Sequence, residues 1–269
     1  MSDPLDALVA RIRSRPKYHA ITPAVIRGIG AVELARRRGF QEAVRATRSR
    51  LHQIAGVYMD YPIDYARYAR ELAASTAAGD SERVRDICRA VMACHASSRE
   101  RLPILEEFFS TIFAVTGPVR RIIDLACGLG PLAIPWMRLS PDVEYCAYDI
   151  YEDLVSFLDR VLPLLGVRGR AAACDLTTAV PGDAGDVAFL LKSLPCLEHL
   201  DRSIGHRLLR AINARHLVIS FPVRSLGGYA KGMIRTYDAH FRDLTAGESW
   251  TIRRFEFATE LVFVITKPA

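Results

Sequence analysis

Apolar residues recur at helical spacing through the first hundred or so positions and then change period. Leu5, Leu8, Val9 and Ile12 form one stripe, which predicts a short amphipathic helix over 4–15. Thr22-Pro23 opens a second helix, with Pro at the first helical position, that carries Arg36, Arg37 and Arg38 before Gly39. A third helix spans 40–55, and Asp60-Tyr61-Pro62 interrupts the pattern. Further helices are predicted over 63–74, over 80–94 (opened by Asp80-Ser81-Glu82) and over 98–114, the last with Leu102, Leu105, Phe108, Phe109 and Phe113 on its apolar face. Thr116-Gly117-Pro118 then breaks the helical rhythm and reads as a hinge. The expected division is a helical domain over 1–115 and a second domain over 116–269.

Beyond the hinge, short apolar runs alternate with amphipathic stretches, as in an α/β domain with a parallel sheet. The strands are predicted around Ile122–Leu125, Val143–Asp149, Gly169–Leu176, Asp186–Leu191 and His216–Pro222. A helix over 233–244 follows. Trp250–Phe257 and Glu260–Thr266 are consecutive strands and form a hairpin. The sheet is therefore seven-stranded and mostly parallel, with one antiparallel strand.

Composition adds the placement of charge. Half of the 269 residues are hydrophobic, enough for a sizeable core. The formal net charge is +6, and residues 1–50 alone hold eleven Lys/Arg against four Asp/Glu. The remainder is close to neutral, so an anionic partner is expected at the N-terminal part. Six scattered cysteines without a Cys-x-x-Cys pair argue against both a zinc site and a disulfide framework. No apolar run approaches the ~18 residues of a membrane span, and Met-Ser-Asp-Pro-Leu-Asp lacks a signal-peptide core. A cytoplasmic protein without metal is the expectation.

The densest chemical signal is Asp124-Leu-Ala-Cys-Gly-Leu-Gly130, where a buried strand turns sharply into a helix. Gly128 and Gly130 let a ligand approach the loop backbone. The spacing differs from the Gly-x-Gly-x-x-Gly of dinucleotide-binding enzymes. Asp149, 25 residues on, ends the second strand, where an acid accepts hydrogen bonds from ribose hydroxyls. Asp175 ends the third. Loops at the ends of successive strands converge on one crevice, where open α/β sheets bind ligands. There is no Ser/His/Asp constellation or paired-carboxylate site.

These loops resemble those of class I S-adenosylmethionine (SAM) methyltransferases, a Rossmann-like fold. Four further segments resemble a narrower family, the aminoglycoside-resistance 16S rRNA methyltransferases that modify a guanine N7 in the decoding site. They are His95-Ala-Ser-Ser-Arg-Glu-Arg-Leu102, Leu191-Lys-Ser-Leu-Pro-Cys-Leu-Glu198, Ser220-Phe-Pro-Val-Arg-Ser-Leu-Gly-Gly228 with Lys231-Gly-Met233, and Leu51-His-Gln-Ile54. The likeness runs in order over about residues 50–235. It departs at Gly130, where many members carry Asn.

The resemblance implies SAM as cofactor, S-adenosyl-L-homocysteine as product, and 16S rRNA in the 30S subunit as substrate, acted on by a monomer without a membrane or protein partner. It implies that Asp124, Ala126 and Gly128 wrap the methionine part of the cofactor. Asp149 and Ile150 meet the ribose, and Asp175 and Leu176 frame the adenine. His95 or Arg101 reaches the cofactor carboxylate. Lys192 and Glu198 occupy the positions needed for activity, holding the flipped guanine or adjacent backbone. Expected RNA contacts are Arg11, Arg13, Lys17, Arg36, Arg37, Arg38, Arg45, Arg48, Arg50, Arg224 and Lys231. Three alternatives stay open. They are methylation of another RNA nucleotide (such as adenine N1), methylation of a small molecule in an antibiotic pathway, and an RNA-binding protein that keeps the fold without catalysis.

Overall fold

The computed structural model describes residues 3–54, 63–224 and 232–268. The helices α1 (Pro4–Arg13), α2 (Pro23–Arg36) and α3 (Phe40–Ile54) come first. They are followed by α4 (Tyr65–Ala77), α5 (Ser81–Met92), α6 (Ala96–Arg101) and α7 (Leu105–Thr116). Asp64 and Asp80 cap α4 and α5, their carboxylates accepting from the Arg67 and Arg83 amides. The single helix expected over 98–114 is instead broken. Pro103 lacks an amide proton and disfavours helical geometry before it, so a 3₁₀ turn at Leu102–Ile104 separates α6 from α7.

Gly117, at φ 73°, ends α7 and delivers the chain to β1 (Arg121–Leu125). Next come α8 (Ile134–Met137), β2 (Glu144–Asp149), α9 (Glu152–Val161), β3 (Arg168–Ala173) and β4 (Gly185–Leu191). The chain closes with α10 (Leu194–Glu198), α11 (Ile204–Ala211), β5 (Ala214–Pro222), α12 (Met233–Leu244), β6 (Thr251–Glu256) and β7 (Glu260–Thr266). The strand order is β3-β2-β1-β4-β5-β7-β6. All pairings are parallel except those of β7, which lies between β5 and β6 and runs against both. This is the class I methyltransferase sheet, with its strand-order reversal between β1 and β4.

Two apolar clusters cover the sheet. One combines Leu72, Ile87, Phe108 and Phe109 with Ile122, Tyr145 and Phe189, so α4, α5 and α7 share a core with the strands. The other joins Ile219, Phe221 and Phe263 to Leu208 and Phe241. A third is separate: Leu8, Ile12, Ile26, Val44 and Leu51 hold α1–α3 together. That unit is clasped to the turn after β2. The Thr22 amide donates to the Ile150 carbonyl (2.9 Å), the Glu152 amide donates to the Ala20 carbonyl (2.7 Å), and Arg13 pairs with Glu152 (2.7 Å). Among the described residues no helix is long and apolar enough to cross a membrane.

Candidate active site

A cavity opens at the C-terminal ends of β1, β2 and β4, at the order reversal where such sheets bind ligands. Ala126, Cys127 and Gly128 form its floor. Asp149 and Ile150 follow from β2, Asp175 and Leu176 from beyond β3, and Lys192, Cys196 and Leu197 from beyond β4. His95 and Arg101 come from the helical segment, and Val25 of α2 and Tyr65 of α4 complete the wall. The third strand ends at Ala173, so Asp175 stands two residues past it, in a turn where it accepts from the Thr177 amide (2.9 Å) and hydroxyl (2.6 Å).

The loop after β1 is held from below and from the side. Ala126 and Gly128 take left-handed backbones, at φ 49° and 50°. The Gly128 amide donates to Asp149 Oδ2 (2.8 Å), and the Ile150 amide donates to Oδ1 (2.7 Å). Burial pushes the Asp149 carboxyl up, while these amides and that of Tyr151 favour its charged form. His95 lies against the loop, since a Cβ at Gly128 would sit 3.8 Å from its ring.

Asp124, expected at the ligand, does not line the cavity. It is buried and accepts from the Tyr145 hydroxyl (2.7 Å). Gly130 faces it, and a Cβ there would approach Asp124 Oδ2 to 3.1 Å. Burial drives the Asp124 carboxyl up to about 7, against the pull of Tyr145 and Arg101. An acid raised in the folded state binds protons that the unfolded chain has released. Its contribution to stability therefore declines as pH rises from about 4 through 7. Asp124→Asn should remove that decline, so its Tm relative to wild type should improve as pH is raised from about 5 to 8. A Tm difference independent of pH over that range would refute the buried-acid reading.

Lys192 enters from the other side. It has φ 57°, is almost fully buried, and its amide donates to the Ser220 carbonyl (3.0 Å) and hydroxyl (3.1 Å). Its Nζ donates to Glu100 Oε2 (2.7 Å) and to the Ser97 carbonyl (3.2 Å), and lies 3.3 Å from Glu260 Oε1. Arg101 Nη2 donates to Glu260 Oε2 (2.9 Å). Glu260 is thus a fully buried acid shared by two cations. Burial favours its neutral form, but Arg101 and Lys192 outweigh that and hold its carboxyl below the usual range. The sequence reading missed Glu260, although a lone acid at the head of the apolar run Glu260–Ile265 was a usable signal.

Glu198 does not line the cavity. Its carboxylate turns outward to His240 of α12.

Several expected RNA contacts have internal partners. Arg13 holds Glu152, Arg37 holds Glu33 (3.1 Å), Arg50 reaches Glu33 (3.4 Å) and the Leu200 carbonyl (3.0 Å), and Lys17 meets His52 (3.0 Å). Arg11, Arg36, Arg38 and Arg45 are exposed and make no ion pair among the described residues. Arg48 is half-buried, and burial together with the like charges of Arg15 and Arg11 lowers its pKa. Arg224 is exposed, and Lys231 lies outside the described residues.

Comparison with known proteins gives a single picture. Residues 13–264 match the family model described as ribosomal RNA methyltransferase (FmrO). A 16S rRNA (guanine(1405)-N(7))-methyltransferase of Micromonospora echinospora is 39% identical over 98% of this chain and 97% of its own length. One from Serratia marcescens is 34% identical over 97% and 98%. The crystal structure of the 16S rRNA methyltransferase RmtF with S-adenosyl-L-homocysteine superposes with a TM-score of 0.84 at 31% identity, covering all of both chains. That of the 16S rRNA methylase RmtB gives 0.78 at 30% identity over 98% of each.

Proposed function

The chain belongs to the FmrO family of ribosomal RNA methyltransferases, and from that premise we propose how its residues act. It is a SAM-dependent enzyme that methylates a guanine N7 of 16S rRNA. The near full-length identity with guanine(1405)-N7 methyltransferases carries this reading, and guanine 1405 within the 30S subunit is the proposed target.

The cavity suits the cofactor. Its lining offers the buried Asp149 carboxylate beside the glycine loop, the Arg101 guanidinium, and the apolar side chains of Ile150, Leu154 and Leu176. When bound, SAM supplies the electrophilic methyl group and leaves as S-adenosyl-L-homocysteine. Asp149 accepts from the ribose hydroxyls while its bonds to the Gly128 and Ile150 amides keep it in place. Asp175 and Leu176 bracket the adenine. Arg101, with His95 alongside, receives the methionine carboxylate. Asp124 acts beneath the loop, through Tyr145 and the space left at Gly130, and not on the ligand.

Guanine N7 carries a free lone pair at neutral pH, so the protein needs no general base. Its task is placement and exclusion of water. Lys192 stands in the wall on the side of the base and orients it, its charge balanced by Glu100 and Glu260.

A base in folded rRNA must be unstacked to reach such a cavity, and phosphate contacts offset that cost. The docking unit is narrower than residues 1–115. The excess charge lies on α1–α3, which have their own core, whereas α4–α7 build the sheet domain. Among the described residues Arg11, Arg15, Arg36, Arg38 and Arg45 are exposed there without an ion pair, with Arg48 crowded by Arg15 and Arg11. Arg13, Arg37 and Arg50 act mainly within the protein. Replacing Arg36, Arg38 and Arg45 together with Glu should weaken 30S binding and flatten its salt dependence by up to ~0.9 log–log units per lost contact. SAM affinity should not change. Wild-type 30S affinity and salt slope in the triple variant would rule these arginines out.

The function itself is tested by incubating purified 30S subunits with methyl-labelled SAM and mapping the labelled base. Label at guanine 1405 N7 and aminoglycoside resistance in a bacterial host are expected. Label on an adenine, or none on 30S subunits, would reject the reading.

A further inference from the structure

We propose that His240 is a positioning residue for rRNA methylation: it grips the Glu198 carboxylate and thereby fixes α10, the wall of the cavity that begins at Lys192. The inference rests on the reading of the cavity as the methylation site. His240 Nε2 lies 2.8 Å from Glu198 Oε2 and 3.0 Å from Oε1. An ionised carboxylate only accepts, so Nε2 carries the proton in this pair.

The need for such a grip follows from the size of α10. It is five residues long, and a helix that short has no stability of its own. The chain two residues before its head is pinned where the Lys192 amide meets Ser220 on β5. Between head and tail, Cys196 and Leu197 face the cavity. Its tail is held at Glu198, from two sides. On one side α11 packs so closely that a Cβ at Gly205 would come within 2.6 Å of Glu198 Oε1. On the other side stands His240.

His240 is itself set on a rigid platform. Its ring meets Phe221 edge-on (6.4 Å between centroids, 82°), Tyr237 stacks on the same Phe221 (4.6 Å), and Phe241 stacks on Phe263 (3.9 Å). The bond therefore ties the tail of α10 to β5 and β7 through α12. This also gives Glu198 a role that agrees with its orientation. Turned out of the cavity, it acts on the target base through the placement of Lys192 and Leu197.

The test compares H240A, H240Q, E198A and the H240A/E198A double variant. The readouts are thermal stability, SAM affinity by calorimetry, and kcat and KM for labelling of 30S subunits. H240A should keep SAM affinity and lose about a hundredfold in kcat, the scale of a small misplacement at a reacting centre. H240Q, whose amide N–H still donates to the carboxylate, should recover most of that loss. The double variant should be no worse than E198A, because both changes cut the same bond. Wild-type kcat in H240A, strictly additive losses, or an H240Q variant inactive at wild-type Tm would each overturn the proposal. H240Q decides the matter even where H240A unfolds. Failure of the wild-type protein to label 30S subunits would instead reject the functional reading.

Discussion

Asp149→Ala should abolish detectable SAM binding in a protein that still folds. The carboxylate does two things at the end of β2. It presents acceptors to the cavity, and it holds the Gly128 and Ile150 amides at 2.8 and 2.7 Å. Alanine removes both. Hydrogen bonds to a charged acceptor are worth ~1.5–3 kcal/mol each. Losing a pair to the ribose should therefore weaken affinity by at least about a hundredfold, before any relaxation of the loop is counted. The fold should survive because two effects oppose one another. The variant leaves the Gly128 and Ile150 amides without this partner, but it also removes a buried acid whose charge burial disfavours. Calorimetry with SAM and S-adenosyl-L-homocysteine, alongside a thermal melt, separates binding from stability. Wild-type affinity in the folded variant would sink the assignment of Asp149 to the ribose.

Lys192→Ala should keep SAM binding and lose methylation of 30S subunits. A buried lysine is a poor candidate for silent replacement, since removing one member of a buried ion network ordinarily strands its partner. Here the damage is contained. Glu260 keeps the Arg101 guanidinium at 2.9 Å, and Glu100 is partly exposed and regains water. The Arg101–Glu260 pair, assigned to the cofactor side, therefore stays intact while the wall assigned to the target base loses its cation. Lys192→Arg is also expected to be impaired. Glu100, Ser97 and Glu260 surround a compact ammonium at 2.7, 3.2 and 3.3 Å, and the longer, planar guanidinium of arginine does not reproduce that set of contacts. Single-turnover labelling of 30S subunits measures the loss directly. Full kanamycin and gentamicin resistance conferred by Lys192→Ala would show that the lysine has no part in the reaction.

The periodicity and punctuation of the chain were enough for the elements and their order. Alternating apolar runs after Pro118 gave the parallel strands, and two adjacent runs at the end gave the hairpin that turns β7 against its neighbours. Gly128 and the two acids at 149 and 175 marked the crevice because strand ends in such a sheet converge regardless of what lies between them. Charge counting located the basic surface on the first fifth of the chain. Pro103 was visible as well, but the strength of the surrounding apolar stripe hid its effect and the three pieces read as one helix.

Side-chain partnerships were decided elsewhere. Sequence placed Arg50, Arg37 and Arg13 in one basic run. Arg37 meets Glu33 one turn back on its own helix, but only tertiary packing brings Glu152 to Arg13 and brings Glu33 and the Leu200 carbonyl to Arg50. Asp124 belongs to a motif that reads as ligand-facing, yet register with β2 puts Tyr145 against it. Glu260 and Arg101 are 159 positions apart and meet in the core, and Glu198 finds His240 across 42. Local preference and period act over a few residues, so a sequence carries them openly. Burial of a charge is tolerated only where a partner from another element arrives to balance it. Which partner arrives depends on how the helices close over the sheet, and that choice exists only once the chain has folded.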